Sequence, residues 1–400
     1  MEHARKCHRR VQDASGSAGY KDALQVQDWT TQAPSSSAND SRDDRTQVAA
    51  PVTRTRLSKK TYIPLAMTAN DVAKFASTVR VSFDNEVDAA LPYEFPPVVI
   101  TSISFIEGLE LISIFIEYDS AHGGSALSKW PAYLTCAFPE LGGLGLREML
   151  ARILAKCISN RMFGAAQYDS YEYWCGVGNI TLEAVLLGAN ALRFDKLLAS
   201  EHDCGFNVGL KLWILALTLS VAHSQQWYSP ACGSFCFLCR SQSARSSQND
   251  YAGDTSLSFV QDGNMQSDIC SLMYLLSFLF GNLPLYETPL NGCMPASEPL
   301  KTVFTFTDSH RVTTWLGSFG AETCKPLQLW SPVLSVVDAL RRDKPNRSGM
   351  TTLCVHRGPP GNRKFDGVKT ALKASANHPR EFGRTVAQVT QAYARDMCSR

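Results

Sequence analysis

The stretch that most constrains this chain is Tyr171–Asn179, which reads YEYWCGVGN and joins a strand-like approach to a helical pattern over Ile180–Gly188. Gly176 and Gly178 have no Cβ, so the backbone here can turn tightly and come close to a ligand just before a helix N-terminus. The pattern predicts a strand, a Gly-x-Gly turn and a helix, which is how a nucleotide-type cofactor site begins. The same turn also occurs in loops that bind nothing, so the neighbouring elements decide its meaning.

A second short strand with an acid at its end follows the helix. Ala191–Asp195 reads ALRFD, and the succession of strand, Gly turn, helix, strand and acid makes half of a Rossmann-like unit. In that arrangement the acid after the second strand, here Asp195, bonds the ribose hydroxyls of the cofactor. The context therefore favours a cofactor site over an empty turn.

A third strand ends near a cysteine. The apolar run Val208–Ala222 predicts a helix, and Gln226–Tyr228 predicts a short strand that leads to Cys232. This alternation of strands and helices predicts an α/β fold, with a Rossmann-like, doubly wound sheet over residues 165–340 and a small α+β extension over 61–164 before it.

Three motifs in this order resemble those of the cytosine-5 methyltransferases of nucleic acids, and more closely those of a divergent protist group of related proteins. The family opens with an acid, an aromatic residue and Gly-x-Gly, as in DLFAGIGG, and continues with Gly-Pro-Pro-Cys-Gln and Glu-Asn-Val. The matching positions here are Glu172, Trp174, Gly176 and Gly178, then Ser229–Gly233, then Glu287-Thr288-Pro289. The segment Asn377–Gly383 and the helical pattern Arg384–Met397 resemble the family's C-terminal helix, which returns to flank the cofactor, so the resemblance covers about residues 168–397.

This resemblance implies the class I S-adenosylmethionine-dependent methyltransferase fold and a cysteine mechanism. Cys232 would add as a thiolate to carbon 6 of a pyrimidine, Glu287 would bond the ring at nitrogen 3, and carbon 5 would take the methyl group of S-adenosylmethionine. A thiolate is a strong enough nucleophile for this addition, and a neighbouring acid offsets the charge that develops. The implied cofactor-binding residues are Glu172, Trp174, Gly176, Gly178, Asn179, Asp195 and Pro230.

The chain departs from the family pattern at several positions. Gly233 replaces the glutamine, Ala231 the second proline and Thr288 the asparagine, and no Gln-x-Arg-x-Arg motif lies between Pro289 and Trp330. These departures favour a second hypothesis. In it, the chain keeps the fold and the cofactor pocket but serves as a catalytically inactive binding protein for a nucleic acid or a protein partner.

A third hypothesis comes from cysteine spacing. Cys232, Cys236 and Cys239 have the Cys-x3-Cys-x2-Cys spacing that holds a [4Fe–4S] cluster in radical S-adenosylmethionine enzymes. In those enzymes an aromatic residue precedes the last cysteine, whereas Leu238 stands there in this chain. A zinc site would need a fourth ligand at tight spacing, and the nearest candidate is His223, which we expect to cap the preceding helix. The sequence therefore predicts no metal site.

Two basic features point to a nucleic acid as partner. Arg240 and Arg245 directly follow the predicted nucleophile, in a loop that closes over the target base in the family, so their guanidinium groups could bond phosphates. Residues 341–400 carry thirteen Lys and Arg against four acids, although the whole chain has a formal net charge of only +2. A basic segment attracts polyanions, and a solvated tail would have the same composition.

The remaining segments give further expectations. Residues 1–60 are polar, with no sustained period, and we expect them to be disordered. Alternating apolar residues predict strands over Pro97–Phe105, Leu109–Tyr118 and Val303–Thr307. Helical patterns predict helices over Leu146–Met162, which we expect to pack on the sheet, and over Ile269–Phe280, after a polar loop over Ser241–Asp262.

The sequence also bears on location. No run of about eighteen apolar residues is present, so we expect no membrane span. The N-terminus MEHARKCHRRVQD lacks the apolar core of a secretory signal, and the thirteen cysteines follow no regular spacing. We therefore expect an intracellular protein of the cytoplasm or nucleus.

Overall fold

A computed structural model of the chain describes residues 100–122, 127–346, 348–357, 364–367 and 375–399. The predicted disordered segment over 1–60, and the part of the extension that precedes residue 100, lie outside these ranges. The described helices are α1 Ile100–Ala121, α2 Trp130–Ala137, α3 Leu146–Met162, α4 Asn179–Leu186, α5 Asn207–Thr218, α6 Arg240–Ser243, α7 Ser258–Leu279, α8 Glu298–Phe306, α9 Leu334–Ala339 and α10 Arg380–Ser399. The described strands are β1 Tyr168–Tyr173, β2 Ala191–Phe194, β3 Ser220–Tyr228, β4 Leu283–Pro289, β5 His310–Trp315, β6 Pro326–Ser331, β7 Cys354–Arg357 and β8 Lys364–Gly367.

Six of these strands form one mixed sheet in the order β2–β1–β3–β4–β6–β5, and β7 and β8 form a separate antiparallel pair. β1 pairs in parallel with β2 and β3, and β3 pairs in parallel with β4. β6 runs antiparallel to both β4 and β5. β5 therefore runs in the same direction as β1, β2, β3 and β4, and these five strands end at one edge of the sheet, which we call the carboxyl edge, where β6 begins.

Both faces of the sheet are buried. Neighbouring residues of its central strands point to opposite sides, and a hydrophobic core covers each side. Tyr228 packs in a core with helices α1, α3, α5, α7 and α8, whereas Trp227 packs in a second core with Phe382 of α10. In β4 the alternation is the same, with Tyr286 on the first side and Leu285 on the second. The chain is thus an α/β protein, as predicted, with a six-stranded mixed sheet that is compatible with a Rossmann-like fold.

Several predicted elements are confirmed. α3 spans Leu146–Met162 as predicted and packs in the first core, next to β1 and α5. The Gly-x-Gly turn lies between β1 and α4, and Ala191–Phe194 is the second strand. The predicted helix over Val208–Ala222 ends earlier, at Thr218, because β3 already begins at Ser220. The predicted helix at Ile269–Phe280 is the second half of α7.

The two strands predicted over Pro97–Phe105 and Leu109–Tyr118 are wrong from residue 100 onward, where the chain forms α1. Its β-branched residues favour strands locally, but tertiary packing decides otherwise. Four buried positions, Gly108, Ile112, Phe115 and Asp119, recur at helical spacing along one face of α1. That face packs on α3 so closely that a Cβ at Gly108 would lie 2.4 Å from Cδ2 of Leu154.

The strand predicted over Val303–Thr307 is also wrong, because this segment is the last part of α8. Pro299 stands in the first turn of the helix, where its missing N–H is not needed. The buried residues Leu300, Val303 and Phe304 have helical spacing, and they pack in the first core. A short alternating run fits both periods, so only the packing partner distinguishes them.

Arg161, near the end of α3, ties this helix to the starts of two strands. Its guanidinium donates hydrogen bonds to Ser220 O (2.9 Å), Phe280 O (2.5 Å) and Asn282 Oδ1 (2.7 Å).

We expect Arg161→Met to lower the free energy of unfolding by about 2–4 kcal/mol, since it leaves carbonyl groups without their charged donor. Urea unfolding measures this. Arg147→Met, on the exposed side of the same helix, is the matched control and should cost under about 0.5 kcal/mol; equal losses would contradict this role of Arg161.

Candidate functional site

The carboxyl edge of the sheet brings together most of the predicted site residues. Trp174, Gly176 and Gly178 follow β1, Asp195 follows β2, Pro230 and Cys232 follow β3, and Glu287 lies near the end of β4. Ligands of open α/β sheets bind at this edge, where the loops from successive strands meet. Two segments that are distant in sequence also reach it: Lys325, just before β6, and His378, just before α10.

The Gly-x-Gly turn requires its glycines. Gly176 has φ +55° and Gly178 has φ +74°, in the left-handed region that favours glycine, and Trp174 shares this conformation with φ +55°. A Cβ at Gly178 would lie 2.7 Å from Cδ of Arg193, whereas a Cβ at Gly176 would have Asn377 Oδ1 as its nearest neighbour, at 3.9 Å. The left-handed backbone therefore favours glycine at both positions, and Gly176 also leaves space above the turn.

Asp195 is fixed against this turn. Its Oδ2 accepts a hydrogen bond from the backbone N–H of Gly176 (2.9 Å), and its Oδ1 accepts one from Leu197 N–H (2.8 Å). A carboxylate has about four acceptor positions, so two remain for a ligand. The acid predicted to bond ribose hydroxyls thus lies beside the predicted cofactor turn.

Glu172 lies beneath the turn and is fully buried in β1. Its Oε2 accepts hydrogen bonds from Thr181 N–H (2.8 Å) and Thr181 Oγ1 (2.7 Å), so it holds the first turn of α4. Burial raises the pKa of Glu172. Its Oε1 has no hydrogen-bond partner among the described residues. The structure therefore places Glu172 as a support of the turn, where the sequence predicted a cofactor ligand.

Trp174 and Pro230 border the turn on the side of β3. Trp174 is half-buried and meets Trp213 of α5 edge to face, with ring centroids 4.7 Å apart. Pro230 is buried, and the next backbone N–H, at Ala231, donates to Gln266 Oε1 at 3.1 Å. Gln266 of α7 thus holds the segment that follows β3.

The segment before α10 is tied to the turn by Asn179. Asn179 Nδ2 donates a hydrogen bond to the carbonyl oxygen of His378 at 2.6 Å. This bond positions His378 over the end of β4, where its ring also meets Trp227 edge to face at 5.9 Å between centroids. Asn179, predicted as a cofactor ligand, therefore uses its amide N–H to hold the C-terminal segment.

Glu287 is buried between two basic groups. Its Oε2 lies 3.5 Å from Nε2 of His378, and its Oε1 has no hydrogen-bond partner among the described residues. Burial alone would raise the pKa of Glu287, but the hydrogen bond and charge of His378 and the charge of Lys325 lower it. The carboxyl group is therefore ionised at neutral pH, and one of its oxygens is available.

Cys232 and Cys236 form a hydrogen-bonded thiol pair across the short 3-10 turn Gly233–Phe235. Both are half-buried. The hydrogen bond to Cys236 and burial raise the pKa of Cys232. Accepting that bond, together with a backbone hydrogen bond from Leu238 and the charge of Lys325, lowers the pKa of Cys236 to about 6 against the effect of burial. The easily ionised thiol of the pair is thus Cys236, where the sequence pointed to Cys232.

The iron–sulfur hypothesis is not supported by the arrangement of these cysteines. In the part of the chain that the structure describes, no three His, Cys, Asp or Glu side chains are placed to hold a metal ion. Cys239 ends a separate 3-10 turn, Phe237–Cys239, just before α6, whereas Cys232 and Cys236 pair with each other. His223 does not cap α5, as the sequence suggested, since it lies within β3.

The two arginines after the predicted nucleophile have different surroundings. Arg240 is exposed, as a phosphate-binding side chain would be. Arg245 is buried, donates hydrogen bonds to Ser234 Oγ (2.7 Å) and Asn264 Oδ1 (2.7 Å), and lies 3.5 Å from the ring centroid of Phe235. Arg245 therefore holds the loop together, and of the two arginines Arg240 is the exposed one.

Sequence reasoning missed Lys325, His378 and Cys236 as members of this site. The segment Asn377–Gly383 was predicted only to lead into a helix that flanks the cofactor, and Lys325 had no predicted role. Lys325 Nζ donates to Ser375 O at 3.1 Å, so the two late segments also contact each other. Only the folded sheet brings them beside Glu287 and Cys232.

Comparison of the chain with protein-family models, with curated proteins and with solved structures gives no significant match in any of the three. Among the described residues, no helix is both long and apolar enough to cross a membrane. The function proposed below therefore depends on the geometry of this site and on the motif resemblance.

The thiol pair gives a pH-dependent prediction. Because the pKa of Cys236 is lowered to about 6, its thiolate fraction rises with pH through that value, so alkylation of Cys236 by iodoacetamide should rise through pH 6 and then level off. Cys157 and Cys270 are fully buried with raised pKa and should stay unmodified in the folded protein. Mass spectrometry of peptides measures each rate.

Cys232→Ala tests the pairing itself. It removes the hydrogen bond that stabilises the Cys236 thiolate, so the alkylation midpoint of Cys236 should move to higher pH. Cys239→Ala, in the same loop, is the matched control and should leave the midpoint in place. An unchanged midpoint in Cys232→Ala would contradict the thiol pair.

Proposed function

We propose that this protein is an S-adenosylmethionine-dependent methyltransferase of the cytosine-5 type that acts on a pyrimidine base of a nucleic acid. The observation that carries the proposal is the meeting of Cys232 and Glu287 at the carboxyl edge, close enough for the charge of Glu287 to act on the thiol. They come from different strands, and the family resemblance gives them complementary roles. The Gly-x-Gly turn at the same edge supports a cofactor next to them.

The strand order bears on the alternatives at the level of the fold. Five strands run in one direction, and β6, the last strand of this sheet, is inserted antiparallel between β4 and β5. The classic dinucleotide-binding sheet has the order 3-2-1-4-5-6 and is mostly parallel, so this sheet differs from that class.

The residues at the edge fit S-adenosylmethionine. The left-handed turn at Gly176 leaves open space, the carboxylate of Asp195 keeps free acceptor positions for ribose hydroxyls, and Trp174 offers a half-buried aromatic ring. Gly176, Asp195, Trp174 and Pro230 would hold the cofactor. When bound, it supplies an electrophilic methyl group.

The thiol pair supports the nucleophilic step. As the sulfur of Cys232 bonds carbon 6 of the pyrimidine, its S–H bond breaks and the proton passes to the Cys236 thiolate, which already accepts its hydrogen bond. Lys325 lies near both sulfurs and stabilises the negative charge before attack. Cys236 is thus the proton acceptor that a neutral Cys232 thiol needs.

Glu287 and His378 would serve the other side of the ring. Addition at carbon 6 moves an electron pair toward nitrogen 3, which then takes a proton. Because Glu287 is ionised, the proton would come from His378, 3.5 Å from Oε2, and Glu287 would pass it to that nitrogen through its unpartnered Oε1. His378 also keeps Glu287 in place before the base arrives.

A nucleic-acid partner would be held by exposed basic residues, and its base would have to leave the helix to reach a half-buried thiol. Arg240 is exposed in the loop after the thiol pair. In the segment after α9, Arg342 and Lys344 lie over the rings of Phe319 and Trp315, at 5.0 and 5.7 Å from the centroids. Cations beside aromatic rings suit contact with phosphates and bases.

A second candidate, a catalytically inactive binding protein, has one observation in its favour. The pKa of Cys232 is raised, so the predicted nucleophile keeps its proton unless Cys236 removes it. In that case the carboxyl edge would still bind cofactor or nucleic acid without transferring a methyl group. Both candidates predict binding of cofactor or nucleic acid, but only the methyltransferase predicts transfer of a methyl group.

Methyl transfer decides between them. With labelled S-adenosylmethionine and mixed DNA and RNA, the wild type should incorporate label and Cys232→Ala should lose activity by about a hundredfold or more, because the covalent step is gone. Cys239→Ala, in the same loop, should retain activity. Equal incorporation by Cys232→Ala would overturn the mechanism, and no incorporation by the wild type would favour the binding protein.

Cofactor binding is tested separately by calorimetry with S-adenosylmethionine. We expect Gly176→Val to weaken binding by about tenfold or more, since its side chain fills the space above the turn. Gly164→Val is the matched control: Gly164 has a similar φ of +68° and open surroundings, but it precedes β1 and so lies at the opposite end of that strand from the carboxyl edge. Unchanged affinity in Gly176→Val would mean that this turn is not the cofactor site.

A further inference from the structure

A cavity of about 290 Å³ opens at the other end of the sheet, on the amino side of β1 and β3. Its walls come from two helices, α4 and α10, which pack tightly near Gly383 and enclose this space further along. Its floor is formed by residues of β1 and β3. None of the residues placed at the carboxyl edge lines it.

Two buried polar side chains of the floor have no hydrogen-bond partner for one of their polar atoms. Ser170 and Gln225 are each 3% exposed, and neither Ser170 Oγ nor Gln225 Nε2 has a partner among the described residues. Gln225 Oε1 is held by Thr390 Oγ1 at 2.8 Å, which fixes the orientation of the amide. An unpaired buried donor costs free energy, so its retention beside a cavity points to a ligand that supplies an acceptor.

The backbone of β3 is irregular at the same place. Tyr168 of β1 pairs with Ser220 of β3, and Ser170 of β1 pairs with Gln225 of β3. Between these pairs β1 advances by two residues and β3 by five, so β3 bulges. Within the bulge His223 has φ +63°, a strained conformation for a residue with a Cβ. Bulges and strained residues are concentrated at functional sites, where they aim a side chain. His223 lines the cavity.

The lining defines the chemistry of the ligand. Burial and the charge of Arg161 lower the pKa of His223, so its ring is neutral and can both donate and accept hydrogen bonds. The floor therefore offers an amide, a hydroxyl and a neutral imidazole. The walls contribute the small side chains Ala184, Ala387 and Ala394, and the charged residues Asp169 and Arg395 also line the cavity. Hydrogen-bond donors and acceptors together on the floor fit a ring with polar edges.

The volume of the cavity limits the size of the ligand. Sites for drug-sized ligands span about 300–1,000 Å³, so this cavity suits a ligand at or below the small end of that range. We propose that the cavity between α4, α10 and the amino ends of β1 and β3 binds a free nucleoside or nucleobase through a ring carbonyl. Arg395, exposed at its mouth, is placed to meet the sugar or a 5′-phosphate.

The test is equilibrium binding of adenosine, guanosine, cytidine and uridine, and of their 5′-monophosphates, by calorimetry and saturation-transfer NMR. At least one should bind the wild type with a Kd on the order of 0.1 mM, the range that ligand efficiency gives for this size. Tighter binding of the monophosphate than of the nucleoside would assign Arg395 to the phosphate. Binding of none of the probes would overturn the proposal.

Two variants of α10 locate the site. Ala394→Trp puts an indole into the cavity and should weaken binding by about tenfold or more, because the space is filled. Ala392→Trp is the matched control, since Ala392 is on the exposed side of the same helix, and should leave the affinity unchanged. Gly176→Val should also bind normally, which separates this site from the proposed cofactor turn. Wild-type affinity in Ala394→Trp would overturn the assignment.

Ser170→Ala distinguishes a binding role from a structural one. Removing an unpaired buried hydroxyl should leave the melting temperature unchanged or raise it. If the hydroxyl bonds the ligand, affinity should fall by roughly fivefold, the loss of one hydrogen bond. A variant with unchanged affinity would show that this side chain is not part of the site, and the cavity would lose the donor on which the inference depends.

Discussion

The close approach of α10 to α4 is the contact on which both sites depend. A Cβ at Gly383 would lie 2.6 Å from the carbonyl oxygen of Asn179, so only glycine allows the two backbones to come this near. Buried Glu183 adds two ion pairs across the contact, at 2.6 Å to Arg380 and 3.1 Å to Arg384. The C-terminal helix is thus fixed to the first helix after the Gly-x-Gly turn.

This contact has consequences at both ends of the sheet. Toward the carboxyl edge it brings His378 over Glu287 and lets Asn179 hold the backbone of that segment. Toward the amino edge the same helix forms one wall of the cavity, with Thr390 holding Gln225. One helix therefore helps to form both sites, which lie at opposite ends of the sheet.

At the carboxyl edge the charge of Lys325 and the burial of its neighbours have opposite effects on pKa values. Its ammonium group lowers the pKa of Glu287 and of Cys236, while burial acts in the opposite direction on both. A thiol pair with one proton beside such a cation holds a half-buried thiolate at neutral pH. That arrangement suits the addition chemistry that we propose, and it depends on Lys325 reaching the edge from the antiparallel strand β6.

The sequence by itself determined the first half of the sheet. Local signals sufficed there, because the Gly-x-Gly turn, Asp195 and the helical period of α3 each act over a few residues. Local signals failed at α1 and α8, where β-branched and aromatic runs fit either period and buried partners selected the helix. Only the tertiary structure decided that Cys236, Lys325 and His378 belong beside Cys232 and Glu287, and that Arg245 faces inward, since these contacts join segments far apart in the chain and no local pattern encodes them.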